Sequence, residues 1–280
     1  EKKYTPMMQH YLKMKEENPD SILFYRLGDF YEMFFEDAKL VSQELDLVLT
    51  GRSAGVEEKV PMCGIPFHAA NSYIQRLVKK GYKVAICEQL EDPSSAKGLV
   101  DRGIIKIITP GTYMDATMDA KSTNYMASCD VSSFEITVIY CELSTGELKY
   151  QTLQRSLVAL QKALLEQNVS ELVCPMTMDK KWMAALEEMD TMLISKHKKA
   201  NIDSEDLPLL NGIESESLKE AFALLMAYLK DTQKQRIDHF LPIESMDKDK
   251  VLVMDYETKN HLELVSSQSS NAKAESLWSF

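Results

Sequence analysis

The chain has 280 residues, of which 45% are hydrophobic, so it can bury the cores of about two domains. Its formal net charge of −11 weighs against a nucleic-acid-binding surface that extends over the whole chain. No apolar run approaches the ~20 residues that cross a bilayer, and the five cysteines and five histidines are too scattered for a disulfide scaffold or a metal site.

The negative charge is unevenly distributed. Residues 1–112 carry 15 Lys and Arg against 16 Asp and Glu, a net charge of −1, whereas residues 113–280 carry a net charge of −10. Because neutralised phosphates supply most non-specific affinity for DNA, the near-neutral first part predicts weak duplex binding by this chain. The N-terminal sequence EKKYTPMMQ lacks the apolar core of a signal peptide, and the unpaired cysteines fit a reducing cytoplasm.

Residues 1–112 alternate between helical and strand patterns. Thr5 and Pro6 are typical of a helix start, and Gly81 of a helix end. Apolar spacing predicts helices at 6–17, 36–46 and 69–80, and strands at 47–50, 84–88 and 104–109. Two prolines and a glycine in 61–66 predict a fixed turn after the polar loop 51–59. This alternation predicts a mixed α/β sheet as the first domain.

Residues 113–125 are small, polar and methionine-rich, as in a linker. In the second half the patterns predict strands at 133–143, 147–153, 171–174 and 192–195, and helices at 157–167, 178–188 and 217–232. A hairpin followed by alternating strands and helices predicts a second α/β domain at 126–245. In residues 246–280 the segment 251–255 leads into a predicted helix at 257–264, and we expect this third region to be truncated.

The most informative stretch is ILFYRLGDFYEMF, residues 22–34. Two apolar, aromatic-rich runs flank Gly28 and Asp29, and this pair predicts a tight β-hairpin. Strand side chains alternate between faces, so Phe30 and Glu32 point the same way, roughly 6–7 Å apart, and Tyr31 points the opposite way into packing. On spacing alone, the simplest interpretation is a core phenylalanine beside a solvated glutamate.

Four segments carry a resemblance to one family. GDFYEMFFEDA (28–38), VPMCGIPFHA (60–69), VAICEQLEDP (84–93) and IIKIITPGT (104–112) are similar, in order and spacing, to segments of the MutS family of bacterial mismatch sensors. The segment MDYETKNHLEL (254–264) resembles the start of the MutS core. In that family a Phe-x-Glu motif reads the mismatch, and the motif falls here on Phe30 and Glu32.

The resemblance implies a domain organisation and a set of partners. It implies a mismatch-recognition domain at 1–112, a ribonuclease-H-like connector at 126–245 and the truncated start of a helical core at 246–280. It also implies a bacterial, nucleoid-associated protein whose full-length form is a homodimeric ATPase that binds MutL through the connector. ATP and magnesium are expected only in that full-length form. We expect this chain to be monomeric, without a cofactor, and to bind mismatched or looped duplex DNA.

A phenyl ring beside a turn can enter a minor groove and wedge between base steps. Unstacking costs a few kcal/mol and base–aromatic stacking returns roughly 1–3 kcal/mol, so the exchange is favourable only where stacking is already weak. Glu32 repels phosphates, which penalises generic binding, and its carboxyl can hydrogen-bond a displaced base. We expect that carboxyl to be protonated where the base edge offers only an acceptor.

Support for the wedge is expected from neighbouring side chains. The candidates for phosphate contacts, with ordinary solvated surface as the alternative, are Arg52, Lys59, Arg102 and Lys106. Met62 stands where the family places an apolar minor-groove contact, and core packing is the equal alternative. Gln89 is a candidate for a contact with the DNA backbone.

No catalytic arrangement is predicted. The sequence has no GxxxxGK[ST] phosphate loop, so the ATPase of the family lies outside it. A two-metal nuclease would use Asp130 and Glu142, but the further carboxylates that this chemistry needs are missing. The predicted function is therefore DNA mismatch recognition by Phe30 and Glu32. The alternative is a protein-interaction module whose acidic second half docks a partner and whose hairpin is only structural.

Overall fold

The computed structural model describes residues 4–91, 100–114 and 124–246, which form two six-stranded mixed sheets. The first sheet lies within residues 21–108 and the second within residues 125–245. The chain divides into two compact units, Glu1–Glu244 and Ser245–Phe280, so both sheets lie in the first of them except for the last residue of the second sheet. The mixed α/β class is therefore confirmed, while the predicted domain boundaries stay a prediction.

The first sheet has the strand order β3-β4-β2-β1-β5-β6, and only its β1–β5 pair is parallel. Its elements, in chain order, are α1 (Pro6–Glu17), β1 (Ser21–Leu27), β2 (Phe30–Phe34), α2 (Phe35–Leu45), β3 (Thr50–Arg52), β4 (Val60–Pro66), a short 3-10 helix (Phe67–Ala69), α3 (Ala70–Lys79), β5 (Lys83–Gln89) and β6 (Arg102–Ile108).

Helices cover both faces of the first sheet. On one face α1 packs into a cluster formed by Met8, Tyr11, Met14, Leu23, Tyr25 and Phe34. On the other face α2 and α3 pack into a cluster that includes Ile22, Phe24, Met33, Val41, Ile74 and Leu77. Burial of a large apolar side chain contributes about 1.5–3 kcal/mol, so these two clusters hold β1 and β2 firmly in the middle of the sheet.

The second sheet has the strand order β11-β10-β7-β8-β9-β12. Strands β7, β8 and β9 pair in an antiparallel manner. On the other side of β7, β10 pairs parallel to β7, and β11 pairs parallel to β10. Its elements are β7 (Tyr125–Val131), β8 (Glu135–Glu142), β9 (Glu147–Gln154), α4 (Leu157–Glu166), β10 (Val169–Pro175), α5 (Lys180–Glu187), β11 (Leu193–His197), a 3-10 helix (Leu207–Leu210), α6 (Glu216–Gln233) and β12 (Glu244–Ser245). No helix in the described ranges is long and apolar enough to span a membrane.

A buried carboxylate joins the two sheets. Glu171 of β10 is fully buried, and its Oε2 accepts hydrogen bonds from the Thr109 hydroxyl (2.5 Å) and the Gly111 N–H (3.0 Å), which follow β6. Its Oε1 accepts from the Ser195 hydroxyl (2.6 Å) and from the Tyr228 hydroxyl of α6. Burial, followed by the charge of Glu171, raises the pKa of Tyr228 well above its ordinary value. All four donors are neutral, and the acceptor is satisfied without a basic partner.

Within the described residues most predicted elements are confirmed, including the hairpin, the six helices predicted before residue 233 and the strands predicted between residues 84 and 195. The predicted turn at 61–66 was wrong, because both prolines lie near the ends of β4, where a missing N–H is tolerated. The strand predicted at 47–50 is β3, shifted to Thr50–Arg52, and β7 was missed. Most of the predicted linker, at 115–123, the segment 251–255 and the helix predicted at 257–264 lie outside the described residues.

The close contact of Gly111 with Glu171, where the two sheets are joined, predicts that Gly111→Ala destabilises the protein. A Cβ at this position would lie 2.9 Å from both Cβ and Oε2 of Glu171 and 3.0 Å from Cβ of Met126. Because two of these atoms are Cβ atoms and the Glu171 carboxylate is held by hydrogen bonds, none can easily move aside, and we expect a loss of about 1–3 kcal/mol in the free energy of unfolding, measured by urea denaturation.

The matched control for this variant is Gly103→Ala. There the added Cβ would meet only the Leu90 side chain, whose Cδ1 is nearest at 3.1 Å, and Leu90 is an exposed side chain that can turn away. We expect nearly unchanged stability. Equal losses in the two variants would show that the contact with Glu171 has no special importance.

Candidate nucleic-acid interface

The predicted wedge residue lies at the tip of the β1–β2 hairpin. Leu27 pairs with Phe30, so the turn has only two residues. Gly28 has a φ of +58°, whereas Asp29 is not in the left-handed region, which is the pattern of a type II′ turn. Phe30 is 47% exposed in the free chain. The interpretation of Phe30 as a core residue was therefore wrong.

Alternation along β2 separates the exposed residues from the buried ones. Tyr31 and Met33 enter the α2–α3 face, as predicted for Tyr31. Phe34 lies on the opposite face, where its ring contacts Tyr11 of α1 at a centroid distance of 4.9 Å. Phe30 and Glu32 share the face of Phe34 but lie nearer the hairpin tip, and neither is part of the cluster around α1.

A glycine lies beneath the two predicted recognition residues. Gly64 of β4 pairs with Glu32, and a Cβ added there would lie 3.5 Å from Cγ of Glu32 and 4.0 Å from Cδ1 of Phe30. Gly64 therefore presents only backbone beneath these two side chains, at ordinary van der Waals distances.

Arg52 of β3 forms an ion pair with the carboxylate of Glu32. To reach it, the Arg52 side chain extends past Phe34, whose ring centroid is 6.0 Å from the guanidinium carbon. The side chain of Glu32 is 15% exposed and that of Arg52 is 37% exposed. The structure thus brings together three of the predicted residues, Phe30, Glu32 and Arg52.

The opposite face of the hairpin tip carries an arginine that sequence reasoning missed. The Arg26 guanidinium lies over the Phe67 ring, 3.7 Å from its centroid, and pairs with Glu88 at 3.3 Å. Tyr31 donates its hydroxyl hydrogen to the same carboxylate. Burial, and then this hydrogen bond, raises the pKa of Tyr31. The sequence contained one indication that Arg26 and Phe67 matter, because Arg26 lies within the hairpin and Phe67 within the second segment that resembles the MutS family.

The other predicted contact residues vary in their placement. Gln89 lies at the same end of the sheet as Phe30, two strands away, which corresponds to roughly 10 Å. Lys59 is exposed just before β4, at the end of that strand away from Phe30. Met62 is half-buried against the α1 cluster, with its sulfur 3.8 Å from the Thr50 hydroxyl, so packing explains its position.

Two predicted phosphate contacts need correction. Arg102 is only 7% exposed, and it donates hydrogen bonds to the carbonyl oxygens of Arg26 (2.8 Å) and Val100 (2.9 Å). Lys106 pairs with Ile86, which belongs to the α2–α3 cluster, so it lies on the face opposite Phe30. Burial lowers the pKa of Lys106. Neither side chain reaches the surface around Phe30.

The carboxylates considered for a nuclease are not assembled. Asp130 accepts hydrogen bonds from Lys199 (3.1 Å) and Ser217 (3.0 Å), and Glu142 accepts from Ser144 (2.6 Å) and the Thr145 N–H (2.8 Å). Asp130 and Glu142 occupy opposite ends of the β7–β8 pair, about 17 Å apart. Among the residues with described positions, no three His, Cys, Asp or Glu side chains are grouped to hold a metal ion.

Comparison with known proteins identifies the family. The family model described as MutS domain I matches residues 5–117. The chain is 43% identical to the DNA mismatch repair protein MutS of Bacillus licheniformis and 41% identical to that of Bacillus subtilis, each over 98% of its length. The chain belongs to the MutS family. It spans 32% of the length of these MutS relatives, so most of each has no counterpart here.

Further relatives agree with this assignment. DNA mismatch repair protein MutS of Listeria monocytogenes serovar 1/2a is 42% identical over 94% of this chain, which spans 31% of that protein. The predicted family is thus confirmed. Phe30, Glu32 and Arg52 all lie inside the matched MutS domain I.

The exposure of the Glu32–Arg52 pair predicts a small contribution to stability. Such pairs contribute up to about 1 kcal/mol, because water screens the charges and both side chains lose entropy. We therefore expect Arg52→Gln to lower the free energy of unfolding by less than about 1 kcal/mol in urea denaturation.

Glu36→Gln gives the reference for this measurement, since Glu36 forms an exposed ion pair with Lys39 at 2.7 Å on α2. A loss in Arg52→Gln several times that of the reference would contradict the expectation. It would mean that the pair locks the fold and that Arg52 does not readily leave Glu32.

Proposed function

We propose that this MutS chain contributes DNA mismatch recognition, with Phe30 as the wedge that enters the minor groove. The observation that carries the proposal is the 47% exposure of the Phe30 ring at the tip of a two-residue turn. A large aromatic side chain in this position buries no core surface of its own. Exposing the ring to water is unfavourable, whereas stacking the ring on a base is favourable.

Selectivity follows from the state of the base stack. A ring inserted into a matched duplex has to unstack a correctly paired and fully stacked base step. The stacking energy that the ring gains only offsets that cost. At a mispaired or unpaired base the step is already weak and easily kinked, so the same insertion is favourable. The hairpin therefore measures the deformability of the DNA and needs no pocket shaped for one base.

Glu32 supplies the second part of the discrimination. Its carboxylate lies on the same face as the Phe30 ring and would approach the phosphates of any bound duplex. Repulsion there disfavours matched DNA, whereas a displaced base offers the carboxyl a hydrogen-bond partner. Arg52 holds the carboxylate in the free chain and is positioned to exchange it for a phosphate.

The remaining residues support weak binding by the chain itself. Gln89 lies at the same end of the sheet as the wedge, and the exposed Lys59 supplies a positive charge near β4. Because Arg102 is buried and Lys106 lies on the face opposite Phe30, few basic side chains would face the DNA. Because phosphate contacts supply most affinity, strong binding requires charges contributed by other parts of the protein.

The second sheet is proposed to be the ribonuclease-H-like connector of MutS. Three antiparallel strands followed by two parallel strands, with helices between them, support this assignment. In the whole protein we propose a homodimer with an ATP and magnesium site outside this chain, and a MutL contact through the connector. The acidic character of residues 113–280 fits a protein partner better than DNA.

The wedge predicts that Phe30→Ala abolishes mismatch recognition and leaves the fold intact. The probe is a duplex with one unpaired thymine beside a 2-aminopurine, whose fluorescence rises when the base is unstacked, compared with the same duplex fully paired. At about 50 mM salt, where phosphate contacts are strong, we expect the variant to lose the fluorescence rise and roughly 1–3 kcal/mol of binding free energy.

Phe134→Ala is the matched control, since Phe134 is an 88% exposed phenylalanine in the turn between β7 and β8. It should bind the probe like the unaltered chain. Unchanged binding by Phe30→Ala, or no fluorescence rise with the unaltered chain, would refute the proposal that Phe30 is the wedge.

The role of Glu32 predicts that Glu32→Gln keeps mismatch affinity and gains affinity for matched duplex. Loss of about 1 kcal/mol of charge repulsion corresponds to a gain of roughly fivefold on the matched duplex. The two dissociation constants are measured by fluorescence anisotropy. Glu36→Gln, which removes one negative charge on α2, should change neither value, and a large loss on mismatched DNA in Glu32→Gln would contradict the proposal.

A further inference from the structure

Both peptide carbonyls of the two-residue turn before Phe30 accept hydrogen bonds, one from a side chain of the same hairpin and one from the backbone after β4. Nε of Arg26 donates to the carbonyl oxygen of Gly28 (2.5 Å), and the backbone N–H of Phe67 donates to that of Asp29 (2.9 Å). A two-residue turn at the tip of a hairpin ordinarily leaves these oxygens to water. Here the two residues that immediately precede Phe30 are both held, Gly28 by a side chain on the face opposite the Phe30 ring and Asp29 by the neighbouring chain after β4.

Arg26 is itself immobilised by three partners. Its guanidinium lies over the Phe67 ring at 3.7 Å, pairs with Glu88 of β5 at 3.3 Å, and is 5.7 Å from the Tyr31 ring. The side chains of Arg26 and Glu88 are only 16% and 22% exposed. A planar guanidinium can stack and donate in its own plane at the same time, and a lysine cannot.

We propose that Arg26 and Phe67 are positioning residues that brace the turn and so keep Phe30 directed outward during insertion. The inference rests on the proposed wedge function. A wedge has to stay extended while it displaces a stacked base, and an unbraced turn would bend away instead. Bracing also means that the ordering cost is met during folding and does not reduce the binding free energy.

The test compares Arg26→Lys with Arg155→Lys. Arg155 is a close match in the second sheet, because its Nε donates to the carbonyl oxygen of Ser132 in a turn (2.9 Å) and its guanidinium lies 5.7 Å from the Trp182 ring. The readout is the ratio of the dissociation constants for the paired duplex and the duplex with an unpaired thymine, together with the 2-aminopurine rise. A purely structural role would weaken binding to both duplexes alike and leave the ratio unchanged.

We expect Arg26→Lys to lower this ratio by about tenfold and to reduce the 2-aminopurine rise, whereas Arg155→Lys should change neither. If Phe30→Ala removes recognition but Arg26→Lys leaves the ratio unchanged, bracing is refuted and the wedge stands. If Phe30→Ala has no effect, the wedge itself fails.

A second variant covers the case in which Arg26→Lys fails to fold. Phe67→Leu keeps the backbone N–H that binds the carbonyl oxygen of Asp29 but removes the surface on which Arg26 stacks. We expect a smaller drop in the ratio, of about threefold, since stacking of a cation on an exposed ring contributes up to about 1 kcal/mol. An unchanged ratio would refute the contribution of the stack.

Discussion

The register of the β1–β2 hairpin decides which side chains of domain I meet solvent. Pairing of Leu27 with Phe30 sends Tyr31 and Met33 under α2 and α3, and leaves Phe30 and Glu32 on the other face. A slip of one residue would exchange the faces, bury the carboxylate of Glu32 and expose two large apolar side chains. The cost of that exchange keeps the register unique, so the exposure of Phe30 is a consequence of burying its neighbours Tyr31 and Met33.

The local features of this arrangement were predictable and the long-range ones were not. Gly28 and Asp29 determine the turn, and period-two alternation separates Phe30 from Tyr31. By contrast, Arg102 looked available because it lies near the last strand, yet its pairing with Gln89 places it over the Tyr25 ring. The partnership of Arg26 with Phe67 depends on β4 returning beside β2, which neither segment reveals alone.

The hydrogen bonds that connect the two sheets at Glu171 give a physical reason for the TPGT sequence at 109–112. Thr109 and Gly111 both donate to Glu171, and the absence of a Cβ at Gly111 lets the two backbones approach. From the sequence, Glu171 was only one residue in a short predicted strand. A buried carboxylate has to be satisfied by hydrogen bonds, so the segment that ends the first sheet cannot shift without leaving it unpaired. Domain I is thereby anchored to the second sheet at one chemically demanding point.

Two ion pairs between a glutamate and an arginine lie near Phe30, and they differ in their environment. Glu88 and Arg26 are mostly shielded from water and tied into the turn, so separating them would leave a poorly solvated charge. In the pair of Glu32 and Arg52 the arginine side chain is 37% exposed, so water and, in the proposed function, a phosphate can reach its guanidinium. The first pair therefore suits a fixed support and the second an exchangeable contact. Under the proposed function, this division would keep the hairpin rigid at its base while Glu32 and Arg52 respond to the DNA.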